Sequence, residues 1–283
     1  MRNFLFGLMA LAFASSANAQ PQPAAAVAPI PAEVQRTLDR LSASAFETNR
    51  AYDIVESLVT EIGPRMAGSE AEARARDWAV AMLREQRFSN IRIEPFTLGF
   101  WQATREEAAV VTPSPQRMVI AALGGSPATP EGGLEAEIVR FPDLAALEAA
   151  TPGSLNGRIV FIDERMQRTQ DGSGYGAAVA KRGRCAPLAQ ARGAVACLIR
   201  SVGTDPHRFA HQGGNTRQAD GAALPAAALS PADADLLARL VARGPTRVRL
   251  DIQVDARENA QSGNVIAEIR GRERPEGIVL LVA

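Results

Sequence analysis

Hydrophobic positions first follow a helical period along this chain. Val34, Leu38, Leu41 and Ala45 recur at helical spacing, and so do Ile54, Val55, Leu58, Val59 and Ile62, with Gly63 as the stop. The turn Gly63-Pro-Arg-Met-Ala-Gly-Ser69 follows. Ser69 with Glu72 three residues on forms a capping box, which predicts a helix burying Ala75, Trp78, Ala79, Met82 and Leu83. Ile91 to Leu98 reads as a strand. Helix and strand alternate here, as in an α/β domain.

After about Val111 the apolar runs become short and closely spaced. Met118–Leu123, Glu135–Phe141, Arg158–Asp163, Ala194–Arg200, Leu224–Ala228 and Val248–Val254 are strand candidates. Two helices punctuate them. One runs from about Ala177 to Arg192; the other has Ser230 as N-cap, Pro231 at the first helical position and Gly244 as its stop. This pattern predicts a β-rich α/β domain, roughly residues 111–258, inserted into a first α/β domain that begins at 33–110 and resumes at 259–283. Two final apolar runs, Asn264–Gly271 and Gly277–Ala283, read as buried strands. Ligands of open α/β sheets sit beyond the carboxyl ends of strands, so a catalytic loop is expected after Ala283.

Arg2, the apolar stretch Phe4–Ala14 and Ala17-Asn18-Ala19 have the form of a signal peptide over residues 1–19, with Gln20 as mature start. Residues 20–32, rich in Pro and Ala, predict a mobile linker. Together they predict an exported protein, periplasmic or secreted, with no membrane attachment after cleavage. The formal net charge is +0 and no basic block stands out, which argues against a nucleic-acid partner. Export permits a disulfide between Cys185 and Cys197. Packing of a helix on the strand that follows could bring them close, but the Cα separation is not readable from sequence, and two separate small buried hydrophobes is the reading adopted.

Candidate chemistry is sparse. His207-Arg-Phe-Ala-His211 has a spacing that could bind zinc on a helix, but Arg208 stands where a metalloprotease has Glu. Asp205-Pro206 and Gly213-Gly214 around it predict a loop. Gly172-Ser-Gly-Tyr-Gly-Ala177 fits the dinucleotide pattern formally, yet it lies too far past its strand and reads as a flexible loop. There is no G-x-S-x-G elbow and no S-x-x-K around Lys181, the single lysine. Glu106-Glu107 reads as solvated surface. These residues supply no catalytic, metal-binding or cofactor-binding candidate.

The block Ser262-Gly-Asn-Val-Ile-Ala-Glu-Ile-Arg-Gly271 with Glu276-Gly-Ile-Val-Leu-Leu-Val-Ala283 resembles the opening of the catalytic domain in co-catalytic zinc exopeptidases, the aminopeptidases related to carboxypeptidase Q. The turn at 63–69 resembles an early turn of that family. Asn156-Gly-Arg-Ile-Val-Phe-Ile-Asp163, Ala189-Gln-Ala-Arg-Gly-Ala-Val-Ala196 and Leu224-Pro-Ala-Ala-Ala-Leu-Ser230 resemble pieces of a protease-associated (PA) domain inserted into the peptidase domain. The resemblance implies an incomplete zinc-exopeptidase α/β domain interrupted by the PA insert. It implies a full-length parent with two zinc ions that hydrolyses terminal bonds of peptides. The family's His-x-Asp and later ligands have no counterpart here, so these residues alone are expected to be inactive and to bind no catalytic zinc. Other readings are a PA module for protein or peptide contacts, or a non-catalytic relative like transferrin receptor.

Overall fold

A computed structural model describes residues 29–48, 50–214, 224–273 and 275–282. The signal-peptide expectation and most of the linker lie outside these residues. The chain falls into two units, Met1–Ser57 and Leu58–Ala283. The first carries helices α1 (Ala32–Thr48) and α2 (Arg50–Ser57). The predicted stripe is helical, but Val34, Leu38 and Leu41 are exposed.

In the second unit, Leu58–Ile62 is a π-helical turn closed by the Gly63 N–H on the Leu58 carbonyl, and Gly63 ends it in the left-handed region. Helix α3 (Glu70–Glu85) starts at the predicted cap: Ser69 Oγ accepts from Glu72 N at 3.1 Å. The reciprocal bond is displaced by one residue, since Glu72 Oε2 accepts from Gly68 N rather than Ser69 N. The predicted inner face of α3 is only half-buried.

Eight strands form one mixed sheet in the order β2-β1-β8-β4-β5-β6-β7-β3. They are β1 (Ser89–Thr112), β2 (Gln116–Met118), β3 (Ile120–Ala122), β4 (Leu134–Phe141), β5 (Ile159–Ile162), β6 (Ala196–Arg200), β7 (Ala226–Leu229) and β8 (Arg247–Glu268). The strands from β4 to β7 are mutually parallel; every other pairing is antiparallel. The α/β class expected from sequence is what forms. Helix α4 (Leu144–Glu148) lies between β4 and β5, α5 (Ser173–Gln190) between β5 and β6, and α6 (Pro231–Val241) between β7 and β8.

β5 shows why its run is apolar throughout. Ile159 and Phe161 join one core with α6, while Val160 and Ile162 join another with α4 and α5. β2 and β3 stand at opposite ends of the strand order yet are separated in sequence only by Val119, so the sheet curls until its ends meet.

Two expectations change. Ile91–Leu98, Val248–Val254 and the start of the Asn264–Gly271 run belong to two long strands, β1 and β8, paired from Ser89–Glu268 to Thr112–Arg247. The Gly277–Ala283 run is no strand over its described residues. Ile278 to Val282 are 79% to 89% exposed, because no described strand lies beside them to complete a ladder.

Candidate functional site

The carboxyl ends of β5 and β6 bring together charges far apart in sequence. Ile162 pairs with Ile199, so Asp163 and Arg200 emerge side by side. Asp163 Oδ1 accepts from Arg200 Nε at 2.8 Å and also from Nη2; Oδ2 accepts from Arg140 Nε at 2.7 Å. Arg200 continues to the Pro231 carbonyl and to Asp235, which also binds Arg165. Asp163 and Arg200 are both nearly inaccessible. Every oxygen of Asp163 is engaged by a guanidinium, so it is neither a free base nor an open ligand.

Lys181 on α5 lies beside this network. Its side chain is fully buried and Nζ donates to the Glu164 carbonyl oxygen. Burial pushes its amine down to about 8, against the pull of Glu164. The unfolded chain therefore holds one more proton between about pH 8 and the ordinary lysine range near 10.4, and stability from this group rises with pH across that window. The unfolding free energy of the wild type relative to Lys181→Met should shift in the wild type's favour by on the order of 3 kcal/mol from pH 7.5 to 10.5. Urea denaturation at both pH values measures it; a flat difference would remove the buried-amine account.

The remaining sequence candidates separate. His207 and His211 lie on a loop, as expected, and both face Asp205: His207 Nδ1 is 3.3 Å from one carboxylate oxygen and His211 Nε2 is 3.6 Å from the other. The reading of Gly172–Ala177 as a flexible loop is corrected: α5 begins at Ser173, with left-handed Gly172 before it. Gly174 is buried and its N–H donates to Thr169 Oγ1, in a position where the Gln167 carbonyl leaves no room for a Cβ. These glycines start a helix and leave no cradle. The two cysteines are also corrected. Cys185 and Cys197 form a disulfide with Cα atoms 6.3 Å apart, joining α5 to β6. Closing so short a loop contributes about 3 kcal/mol.

Glu106 is exposed, as expected, and its carboxylate also makes a specific bond. Its Oε1 accepts from Ala122 N at 2.5 Å, tying β1 to β3 where no backbone ladder joins them. Nearby, Asp233 at the start of α6 serves the junction of β2 and β3. Its carboxylate accepts from Val119 N at 2.8 Å, from Ser230 Oγ at 2.7 Å and from Arg208 Nε at 3.1 Å. Ser230 is the predicted N-cap, accepting from Asp233 N. Asp163, Arg200 and Asp233 were missed as a set. The available signal for the first two is a charged residue at the carboxyl end of an apolar strand run.

The zinc pair implied by the resemblance does not fit the described residues. Among them no group of three or more His, Cys, Asp or Glu could hold a metal ion. The cysteines are bonded to each other, and both histidines share a single carboxylate. No chemical step through zinc can be drawn from these side chains.

No protein-family profile matches the chain. Carboxypeptidase Q of Bos taurus is 30% identical over 251 residues, covering 88% of this chain and 52% of that protein. Carboxypeptidase Q of Homo sapiens is 27% identical over the same length and shares. The crystal structure of a peptidase M28 precursor from Shewanella amazonensis superposes with a TM-score of 0.79 at 43% identity, covering 85% of this chain and 55% of that one. A zinc aminopeptidase from Bacillus subtilis shares the fold, with a TM-score of 0.53 at 21% identity over 79% of this chain and 47% of its own. The chain spans about half the length of the curated relatives it matches.

Proposed function

We propose, from the premise that this chain is related to the co-catalytic zinc exopeptidases over about half their length, that it is a scaffold portion of an exported peptidase acting on terminal peptide bonds. The carrying observation is the match to the M28 peptidase precursor, at 43% identity and a TM-score of 0.79. In this reading peptides are the substrate, and the two zinc ions are bound by residues other than those described. The curled sheet between β1 and β8 is the PA insert, proposed to span roughly 111–258. β8 continues past position 258, and its pairing with β1 shifts register there, between the Leu98–Ala260 and Phe100–Arg257 pairs. Residues 1–19 are proposed as the export signal; among the described residues no helix is long and apolar enough to cross a membrane.

Two preparations test the reading. The purified 283-residue chain should release no p-nitroaniline from leucine p-nitroanilide with or without zinc, because its described residues gather no ligand set. A chimera in which these residues replace the matching portion of the Shewanella M28 peptidase should hydrolyse the substrate in a zinc-dependent manner. A chimera that folds and binds zinc yet stays inactive would favour the other reading, a PA-type module for protein or peptide contacts or a non-catalytic relative.

A further inference from the structure

One lateral row on the outer face of the sheet places two arginines around a methyl group. The register pairs Ala109 of β1 with Arg117 of β2 on one side and with Arg249 of β8 on the other. Directly opposed residues of antiparallel strands project from the same face, with Cβ atoms about 5 Å apart. Ala108 and Val110 point into the core, so Ala109 and both exposed arginines face outward.

The neighbouring carboxylates are already engaged. Glu107 and Asp251, opposed in the next outward row, both bind Arg105, at 2.9 and 3.2 Å. Glu135, beside Arg249 on β4, binds Arg247 at 2.9 Å. Among the described residues the Arg249 side chain has only the Gly132 carbonyl, at 2.5 Å. The Arg117 side chain makes no hydrogen bond or ion pair among the described residues, while its own carbonyl accepts from Arg208, which holds that third guanidinium at the rim. Like charges brought together in this way repel and cost stability. The three arginines and Ala109 line a groove of about 430 Å³ together with Glu106, Glu107 and Asp251, whose carboxylates are held by the Ala122 N–H and by Arg105. That volume is in the range of small-ligand sites.

We propose that Arg117 and Arg249 form a carboxylate site that binds the C-terminal end of a peptide. Guanidinium forks match carboxylates bidentately, and the small Ala109 leaves the space between them open. The choice of a peptide as carrier rests on the proposed peptidase function; the carboxylate rests on the two arginines.

Isothermal titration of the 283-residue chain tests it with acetyl-Ala-Ala-Leu as free acid, the same peptide as C-terminal amide, and inorganic phosphate. The free acid should bind about tenfold more tightly than the amide. Arg117→Ala should weaken it about fivefold or more without lowering Tm, since it strips no partner. Ala109→Glu, which sets a carboxylate between the arginines, should abolish binding and raise Tm. Equal binding of acid and amide, binding of phosphate alone, or unchanged affinity in Arg117→Ala would overturn the proposal. The titration needs neither zinc nor turnover, so an inactive chimera leaves its result standing.

Discussion

Asp163→Ala should lower the unfolding free energy by about 4 kcal/mol at pH 7, the largest single-residue effect expected in this protein. The cost comes mainly from what stays behind. Arg200 remains nearly inaccessible, with the Pro231 carbonyl and one oxygen of the part-exposed Asp235 for company. Arg140 is partly exposed and can turn to water, so it adds little. Removing one partner of a buried ion pair leaves the other charge uncompensated, whereas replacing both with apolar groups can be nearly neutral. Asp163→Ala combined with Arg200→Met should therefore recover a substantial part of the loss. Chemical denaturation of the three proteins measures this. A loss below about 1 kcal/mol for Asp163→Ala, or no recovery in the double variant, would show that the pair is not the determinant described.

Asp233→Ala should cost about 3 kcal/mol and act at the junction where the curled sheet turns from β2 into β3. The substitution strips acceptors from the Val119 N–H, the Ser230 hydroxyl and the Arg208 guanidinium. Val119 has no ladder neighbour to replace the carboxylate, since it lies between the two strands. Ser230→Ala should cost only about 1 kcal/mol, because it removes one cap and leaves the Val119 bond intact. Hydrogen exchange distinguishes these outcomes: the Val119 amide should lose protection in Asp233→Ala and keep it in Ser230→Ala. Equal loss of protection in both would mean that the cap, and not the carboxylate, holds the junction.

Much of the fold was legible locally. Ser69 and Ser230 act as caps where the sequence placed them, because a cap depends only on residues within one turn. The short runs near 118–123, 135–141, 158–163, 194–200, 224–228 and 248–254 all contain strands, because β-branched and apolar repetition is a local property. What failed depended on neighbours. Gly172–Ala177 begins a helix because Gln167 and Thr169 fold back against Gly174, which a glycine-rich run does not announce. The apolar run at Ile278–Val282 has the residues of a strand and lacks a described partner to pair with.

By itself the sequence determined most helices, the caps, most strands and the resemblance to the carboxypeptidase Q relatives, since each is carried by residues close together in the chain. Only the tertiary structure decided the closure of the sheet through Val119, the disulfide between Cys185 and Cys197, the burial of Asp163 against Arg200, and the row Arg117–Ala109–Arg249. Those depend on strand order and register. The same apolar strands could pair in many orders, and a shift of one residue would turn Ala109 and both arginines to opposite faces.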